Sequence, residues 1–250
     1  MDTLFTGRRV IELESVDSTN SYAIECLKTD LLPEGTLILA QHQKAGRGQR
    51  GNTWLSEAGK NITCSFIFYP SFLAIEKQFM LTKVVSLALH DLLYDLLKSG
   101  SIKIKWPNDL YVGSNKIGGV LIENSLKQNT INTSIIGIGL NVNQENFGSA
   151  TGNATSLKII SGKEFELKEV VEKLCSRLEA RYLQLRSGKN ENIDSDYLNL
   201  LYRNNEWNHY LIADKKMEGK IIGTTAHGKL KLEFKDGTEK EFDLKEIAFI

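Results

Sequence analysis

Residues 102–143 read IKIKWPNDLYVGSNKIGGVLIENSLKQNTINTSIIGIGLNVN. Ile102–Trp106 begins a strand that runs into Pro107-Asn108-Asp109. Leu110–Val112 and Lys116–Asn124 make a hairpin around Gly113-Ser114-Asn115. Thr130–Val142 is a long strand that ends in GIGLNVN. Consecutive strands joined as hairpins argue against a regular alternation of strand and helix.

The flanks supply helices. In Lys77–Lys98, Phe79, Met80, Val84, Leu87, Ala88, Leu92 and Leu96 recur at spacings near three and four, which makes one buried face. Leu167–Leu185 and about 193–202 are further helices. Upstream, Arg9–Leu13 is a strand, and Asp17-Ser18-Thr19-Asn20 supplies N-caps for a helix over Ser21–Lys28. Thr36–His42 and Asn61–Tyr69 read as strands on either side of a polar, Gly-rich segment, Gln43–Lys60. The expectation is an α+β fold, a mixed or antiparallel sheet with packed helices. From Trp207 the texture changes to short strands at His209–Ala213, Glu218–Thr224, Lys229–Phe234 and Glu239–Leu244, which read as a small β-barrel. A boundary near residue 205 divides a main domain, 1–205, from a module at 206–250.

The 250 residues suffice for a sizeable core, with 41% hydrophobic and 25% charged residues. Lys+Arg and Asp+Glu balance at 31 each, so no global field recruits nucleic acid or an anionic membrane. Cys26, Cys64 and Cys175 show no CxxC or metal-ligand spacing, so they read as buried thiols of a reducing compartment. No basic-then-apolar leader and no run of membrane-span length is present. The expectation is a cytoplasmic protein.

Four motifs carry chemistry. In Gly46-Arg47-Gly48-Gln49-Arg50-Gly51-Asn52-Thr53-Trp54, glycines let backbone N–H groups approach an anion, arginines add forked donors, and Trp54 can cover a ring. The segment is neither a Walker loop nor GxGxxG, and a flexible polar loop is the plain alternative. In Lys105-Trp106-Pro107-Asn108-Asp109, Pro107 fixes a kink that directs Asn108 and Asp109, unless it is only a solvated turn. In Lys116-Ile117-Gly118-Gly119, paired glycines weaken a strand, which suits either close ligand approach or a bulge. In Gly137-Ile138-Gly139-Leu140-Asn141-Val142-Asn143, alternating glycines thin the sheet and leave room for a planar ligand, and Asn141 offers donors and acceptors.

Together these segments resemble the biotin–protein ligase catalytic domain, in the superfamily shared with lipoate ligases. The family pattern DSTN, QxxGRGRxG…W, KWPND, K[LI]xG, GxGxN stands here as Asp17–Asn20, Gln43–Gly51 with Trp54, Lys105–Asp109, Lys116–Gly119 and Gly137–Asn141. The resemblance implies an ATP-dependent ligase that forms biotinyl-5′-AMP and passes biotin to a lysine of a biotin carboxyl carrier domain. ATP, biotin and Mg²⁺ are then required, with no direct protein ligand to the metal assigned. The C-terminal strands resemble the family's SH3-like module.

Carried over by position, Ser18, Thr19 and Asn20 hydrogen-bond the ureido end of biotin with Gln43. Arg47, Gly48, Gln49, Lys116 and Gly119 line the rest of the biotin subsite. Lys116, Arg47 and Asp109 are the catalytic candidates. Arg50, Trp54, Asn108, Lys116 and Asn141 contact ATP or the adenylate. Gln49 and Asn52 stand where the family commonly has arginine, which points to weaker retention of the adenylate. The DSTN motif begins at residue 17, so the expectation is a monofunctional type without an N-terminal DNA-binding domain. Family members range from monomer to homodimer, and the sequence does not choose. A lipoate or octanoate ligase on the same fold is one alternative; a non-catalytic biotin-binding sensor is another.

Overall fold

A computed structural model describes residues 2–148 and 152–250, apart from the side chain of Arg50. The larger sheet has seven strands: β1 (Val10–Val16), β2 (Thr36–Gln43), β3 (Ile62–Phe68), β4 (Ile102–Lys105), β5 (Asp109–Val112), β6 (Asn115–Lys127) and β7 (Thr130–Leu140). Their order is β1-β2-β3-β7-β6-β5-β4. β1 and β2 are parallel, whereas the other neighbours are antiparallel, so the sheet is mixed.

Every residue of β3 (ITCSFIF) is buried, because both faces of the sheet are covered. Alternate side chains point to opposite faces of a strand. Ile38, Ile67 and Ile135 pack with Ala23 of helix α1 (Thr19–Thr29). Their neighbours Leu37, Phe66, Phe68 and Ile136 join the larger cluster beneath α2 (Phe79–Leu97), α4 (Leu167–Arg186) and α5 (Asn190–Leu200). The sequence predicts one buried face for α2. The structure also buries Leu81, Val85, Leu89 and Leu93, because α4 and α5 cover the side away from the sheet. Each such fully buried leucine contributes about 1.5–3 kcal/mol over an exposed one.

A five-residue helix, α3 (Leu157–Ser161), is absent from the sequence reading, being too short to show a period. It is fixed by its ends: Ser156 Oγ accepts from Ile159 N at 3.2 Å, and Gly162 stops it at φ 70°. The helix expected over about 193–202 ends at Leu200, and Tyr202 N instead donates to Ile104 O beside β4.

Residues 207–249 form a second, all-antiparallel sheet of β8 (Trp207–Ile212), β9 (Lys215–Thr224), β10 (Leu230–Phe234), β11 (Glu239–Phe242) and β12 (Ile247–Phe249), in the order β11-β10-β9-β8-β12. β12 is a fifth strand beyond the four that the sequence marks. This small sheet is joined to the main one: Trp106 Nε1 donates to Gly228 O at 2.8 Å, and Tyr210, Ile221, Leu230 and Leu232 belong to the same core cluster as α2. Among the described residues no helix is long and apolar enough to cross a membrane.

Candidate functional site

The four motifs meet around one cavity of about 390 Å³, within the range of small-molecule sites. Its floor is the β6–β7 pair, where Gly119 lies opposite Gly139 and Leu121 opposite Gly137. The glycines make space for protein side chains. A Cβ on Gly137 would stand 2.4 Å from Asn20 Oδ1, and one on Gly139 would stand 2.3 Å from the Trp54 ring. A Cβ on Gly119 would stand 3.1 Å from Asp109 Oδ1. The expectation that the alternating glycines directly vacate room for a planar ligand is thus corrected: they seat Asn20 and Trp54, and those residues line the cavity.

One end of the cavity is polar and uncharged. Ser18 caps α1 through its Oγ, which accepts from Ser21 N. Thr19 donates to Gln43 Oε1 twice, from its backbone N at 2.8 Å and its Oγ1 at 3.1 Å. Ser65 Oγ lies 2.7 Å from Thr19 Oγ1 and 2.6 Å from Asn20 Oδ1. Asn20 Nδ2 donates to Glu123 at 2.8 Å and to Leu121 O at 3.3 Å. Ser18, Thr19 and Asn20 line the cavity as buried residues beside a half-buried Gln43, and hydrogen bonds tie Thr19, Asn20, Gln43 and Ser65 into one group. Ser65 and Glu123 lock that group and were not singled out from sequence; they sit in ordinary strand patterns with no motif.

The Gly-rich segment is a small hairpin. Trp54 N donates to Gly46 O at 2.9 Å, Gly48 N donates to Asn52 O at 2.6 Å, and Gln49–Gly51 is a 3-10 turn at the tip. Trp54 lies against Gly139, and Arg47 pairs with Glu123 on β6, so this largely exposed segment is tied to the sheet at two points. Gln49 and Asn52 line the cavity. The Arg50 side chain lies outside the described residues.

The other end is cationic. Lys116 Nζ pairs with Asp109 Oδ1 at 2.7 Å and stands 5.8 Å from the Trp54 ring centre. Lys105 also lines the cavity, 5.1 Å from the ring centres of both Tyr111 and Phe249. Burial pulls its ammonium below the ordinary lysine value, and the nearby Arg203 and Lys116 charges act the same way against Asp109. Burial, reinforced by Asp109, pushes Tyr111 up to about 12. Lys105 belongs to the KWPND run, but its chemistry was not assigned from sequence. The wall from Leu244 to Phe249 was missed altogether, since only the fold brings the second sheet to the cavity.

The KWPND turn is held from outside. The Trp106–Pro107 peptide is cis, Tyr197 Oη donates to Pro107 O at 2.7 Å, and Asn108 Nδ2 donates to Val120 O. The Asn108 amide thus braces the turn, while Asp109 faces Lys116. Asn141 departs from expectation. It is buried, its Nδ2 donates to Thr155 O at 3.0 Å, and it does not line the cavity, because β7 ends at Leu140 and the chain turns towards α3. Cys64 lines the cavity, but burial raises its thiol pKa, which keeps it un-ionised and unsuited to nucleophilic work. Among the described residues, no group of three or more His, Cys, Asp or Glu side chains is arranged to hold a metal.

Known proteins resemble this chain in both sequence and fold. The sequence model of the Biotin/lipoate A/B protein ligase family matches residues 12–141. The chain is 32% identical over 187 residues to the bifunctional ligase/repressor BirA of Bacillus subtilis (strain 168), covering 73% of this chain and 56% of that protein. It is 34% identical over 131 residues to the biotin–[acetyl-CoA-carboxylase] ligase of Paracoccus denitrificans, covering 52% of this chain and 53% of that one. The chain thus spans about half the length of these two relatives. Among solved structures, it is similar to the biotin protein ligase from Aquifex aeolicus in complex with biotin and ATP. The TM-score there is 0.80 at 29% identity, covering 97% of this chain and 99% of that one.

Proposed function

The chain belongs to the biotin/lipoate A/B protein ligase family, and on that premise we propose that it activates biotin with ATP and transfers it to a lysine of a biotin carboxyl carrier domain. The observation that carries this reading is the cavity's polarity. One end offers a fixed, neutral set of hydroxyl and amide groups, the other offers Lys116 and Lys105, and Arg47 lines the cavity beside the neutral end through its pair with Glu123. A ligand with an uncharged hydrogen-bonding head and an anionic tail fits that gradient, and biotin has a ureido ring at one end and a carboxylate at the other.

The chemistry needs no covalent enzyme intermediate. Biotin's carboxylate attacks the α-phosphorus of MgATP, forming the acyl-adenylate and releasing pyrophosphate. The obstacle is bringing two anions together, so catalysis is electrostatic and positional. Lys116 rests on Asp109 and turns to meet the carboxylate and phosphate oxygens as they approach each other. Trp54 offers the face that covers the nucleotide base. The metal enters with the nucleotide as MgATP. The acceptor lysine then attacks the mixed anhydride carbonyl as its amine, and AMP leaves. Asp109 is the carboxylate best placed to take the departing ammonium proton, once Lys116 has turned to the phosphate.

In this reading, residues 1–205 carry the reaction centre and residues 206–250 supply the wall at Leu244–Phe249, in a cytoplasmic enzyme. The test is adenylate formation by the full chain with MgATP and either biotin or lipoate, followed by pyrophosphate release and mass spectrometry of the product. Biotin-dependent pyrophosphate release with a biotinyl-5′-AMP product supports the reading. A lipoyl product moves it to the sister activity, and binding of biotin with no adenylate makes the protein a sensor.

A further inference from the structure

Glu123 joins two motifs that are far apart in the sequence. Its Oε2 accepts from Asn20 Nδ2 at 2.8 Å and from Arg47 Nη2. Asn20 has other holds, since Leu121 O and Ser65 also engage its amide. Arg47 has none besides Glu123 among the described residues. A guanidinium carries five N–H donors in a rigid fork. Glu123 takes the Nη2 end and leaves the remainder of the fork unclaimed, on a residue that lines the cavity. Arg47 also sits in the hairpin ladder opposite Thr53, so whatever fixes Arg47 fixes the hairpin.

We propose that Glu123 is a positioning residue: it pins the Gly-rich hairpin to β6 through Arg47 and aims the free donors of Arg47 at the anionic part of the ligand. The inference rests on the adenylate-forming reading for its ligand, but the pinning itself does not. Glu123 touches neither substrate in this account and acts through Arg47. Its carboxylate also repels a phosphate that strays towards β6, which favours the anion on the Lys116 side. Because Asn20 keeps Ser65 and Leu121 O without it, losing the charge should loosen the hairpin and leave the start of α1 in place.

The test uses the full chain as Glu123→Gln, Arg47→Gln and the double variant, with three readouts: hydrogen exchange without ligand, steady-state adenylation, and urea unfolding. Glu123→Gln should speed exchange of the Gly48 and Trp54 amides by about fivefold, the ceiling for a part-exposed ion pair. Exchange in Thr19–Ala23 and the urea midpoint should stay unchanged. The KM for MgATP should rise by about the same factor while kcat changes less, and Glu123→Gln should add nothing once Arg47 is Gln. Unchanged hairpin exchange, additive effects in the double variant, or a fall in urea midpoint that tracks activity overturns the proposal. If the wild-type chain makes no adenylate, the functional reading falls, and the exchange data still decide whether Glu123 pins the hairpin.

Discussion

Replacing Gly139 by alanine puts a methyl group into the Trp54 ring. The added Cβ would lie 2.3, 2.6 and 2.7 Å from Cε2, Cζ2 and Cδ2, whereas ordinary contact begins at 3.4 Å. The ring must retreat by about 1.1 Å, and it must do so by side-chain rotation, because Trp54 N is held by Gly46 O at 2.9 Å. Overpacking of this kind costs about 1–3 kcal/mol of stability. The functional cost is larger. Trp54 and Lys116 stand together at the cationic end, and a misplacement of about 1 Å in a reacting constellation costs up to about 100-fold in rate. Gly100→Ala is the control: nothing lies within 4 Å of its Cβ, so its stability should change by less than about 0.5 kcal/mol. The assay is biotin-dependent pyrophosphate release, with urea unfolding in parallel. A Gly139→Ala variant matching Gly100→Ala in both kcat/KM and urea midpoint would refute the claim that these glycines seat Trp54.

Three further predictions concern charge. Lys116→Ala should lower adenylation by about 100- to 1,000-fold, the usual effect of losing one donor to a developing anion. Its part-exposed pair with Asp109 contributes at most about 1 kcal/mol to folding, so loss of structure in step with activity would sink the assignment. Gln49→Arg should slow release of the adenylate by about tenfold, through one charge-assisted hydrogen bond from the hairpin tip; equal release from both forms, measured by trapping free adenylate without acceptor, would count against it. Glu179 on α4 accepts from the backbone N of Leu4 at 2.6 Å and of Phe5 and Thr6 at 2.9 Å. Burial alone would raise its pKa, but these hydrogen bonds outweigh it and hold the carboxyl below its ordinary value. Its contribution to stability is therefore complete above the unfolded value of about 4.3 and is lost as pH falls through the lower folded pKa. Glu179→Gln should cost about 1.5–3 kcal/mol at neutral pH and flatten that acid limb in urea titrations; an unchanged limb would contradict the assignment.

The sequence made the sheet legible because hairpin turns and apolar alternation are local signals. It did not show that α2 is buried on both sides, since only α4 and α5 returning over it settle that. The site's four motifs were legible as a set, but the inner purpose of each was not. Gly137 and Gly139 looked like room for a ligand, and only the crossing of Asn20 and Trp54 shows what fills that room. Asn108 and Asn141 looked alike as ligand contacts, and both side-chain amides donate to backbone carbonyls, of Val120 and Thr155, but only Asn108 lines the cavity. Ser65, Glu123 and Phe249 carry no local signature, because what makes them matter is a neighbour dozens of residues away.

The decisive measurement is transfer to a purified apo biotin carrier domain with MgATP, run with biotin and with lipoate and read by intact mass. A biotin–protein ligase adds one biotin per carrier, dependent on ATP and slowed at least about 100-fold by Lys116→Ala. Lipoyl transfer in its place, or tight biotin binding with no change in carrier mass, would contradict that function.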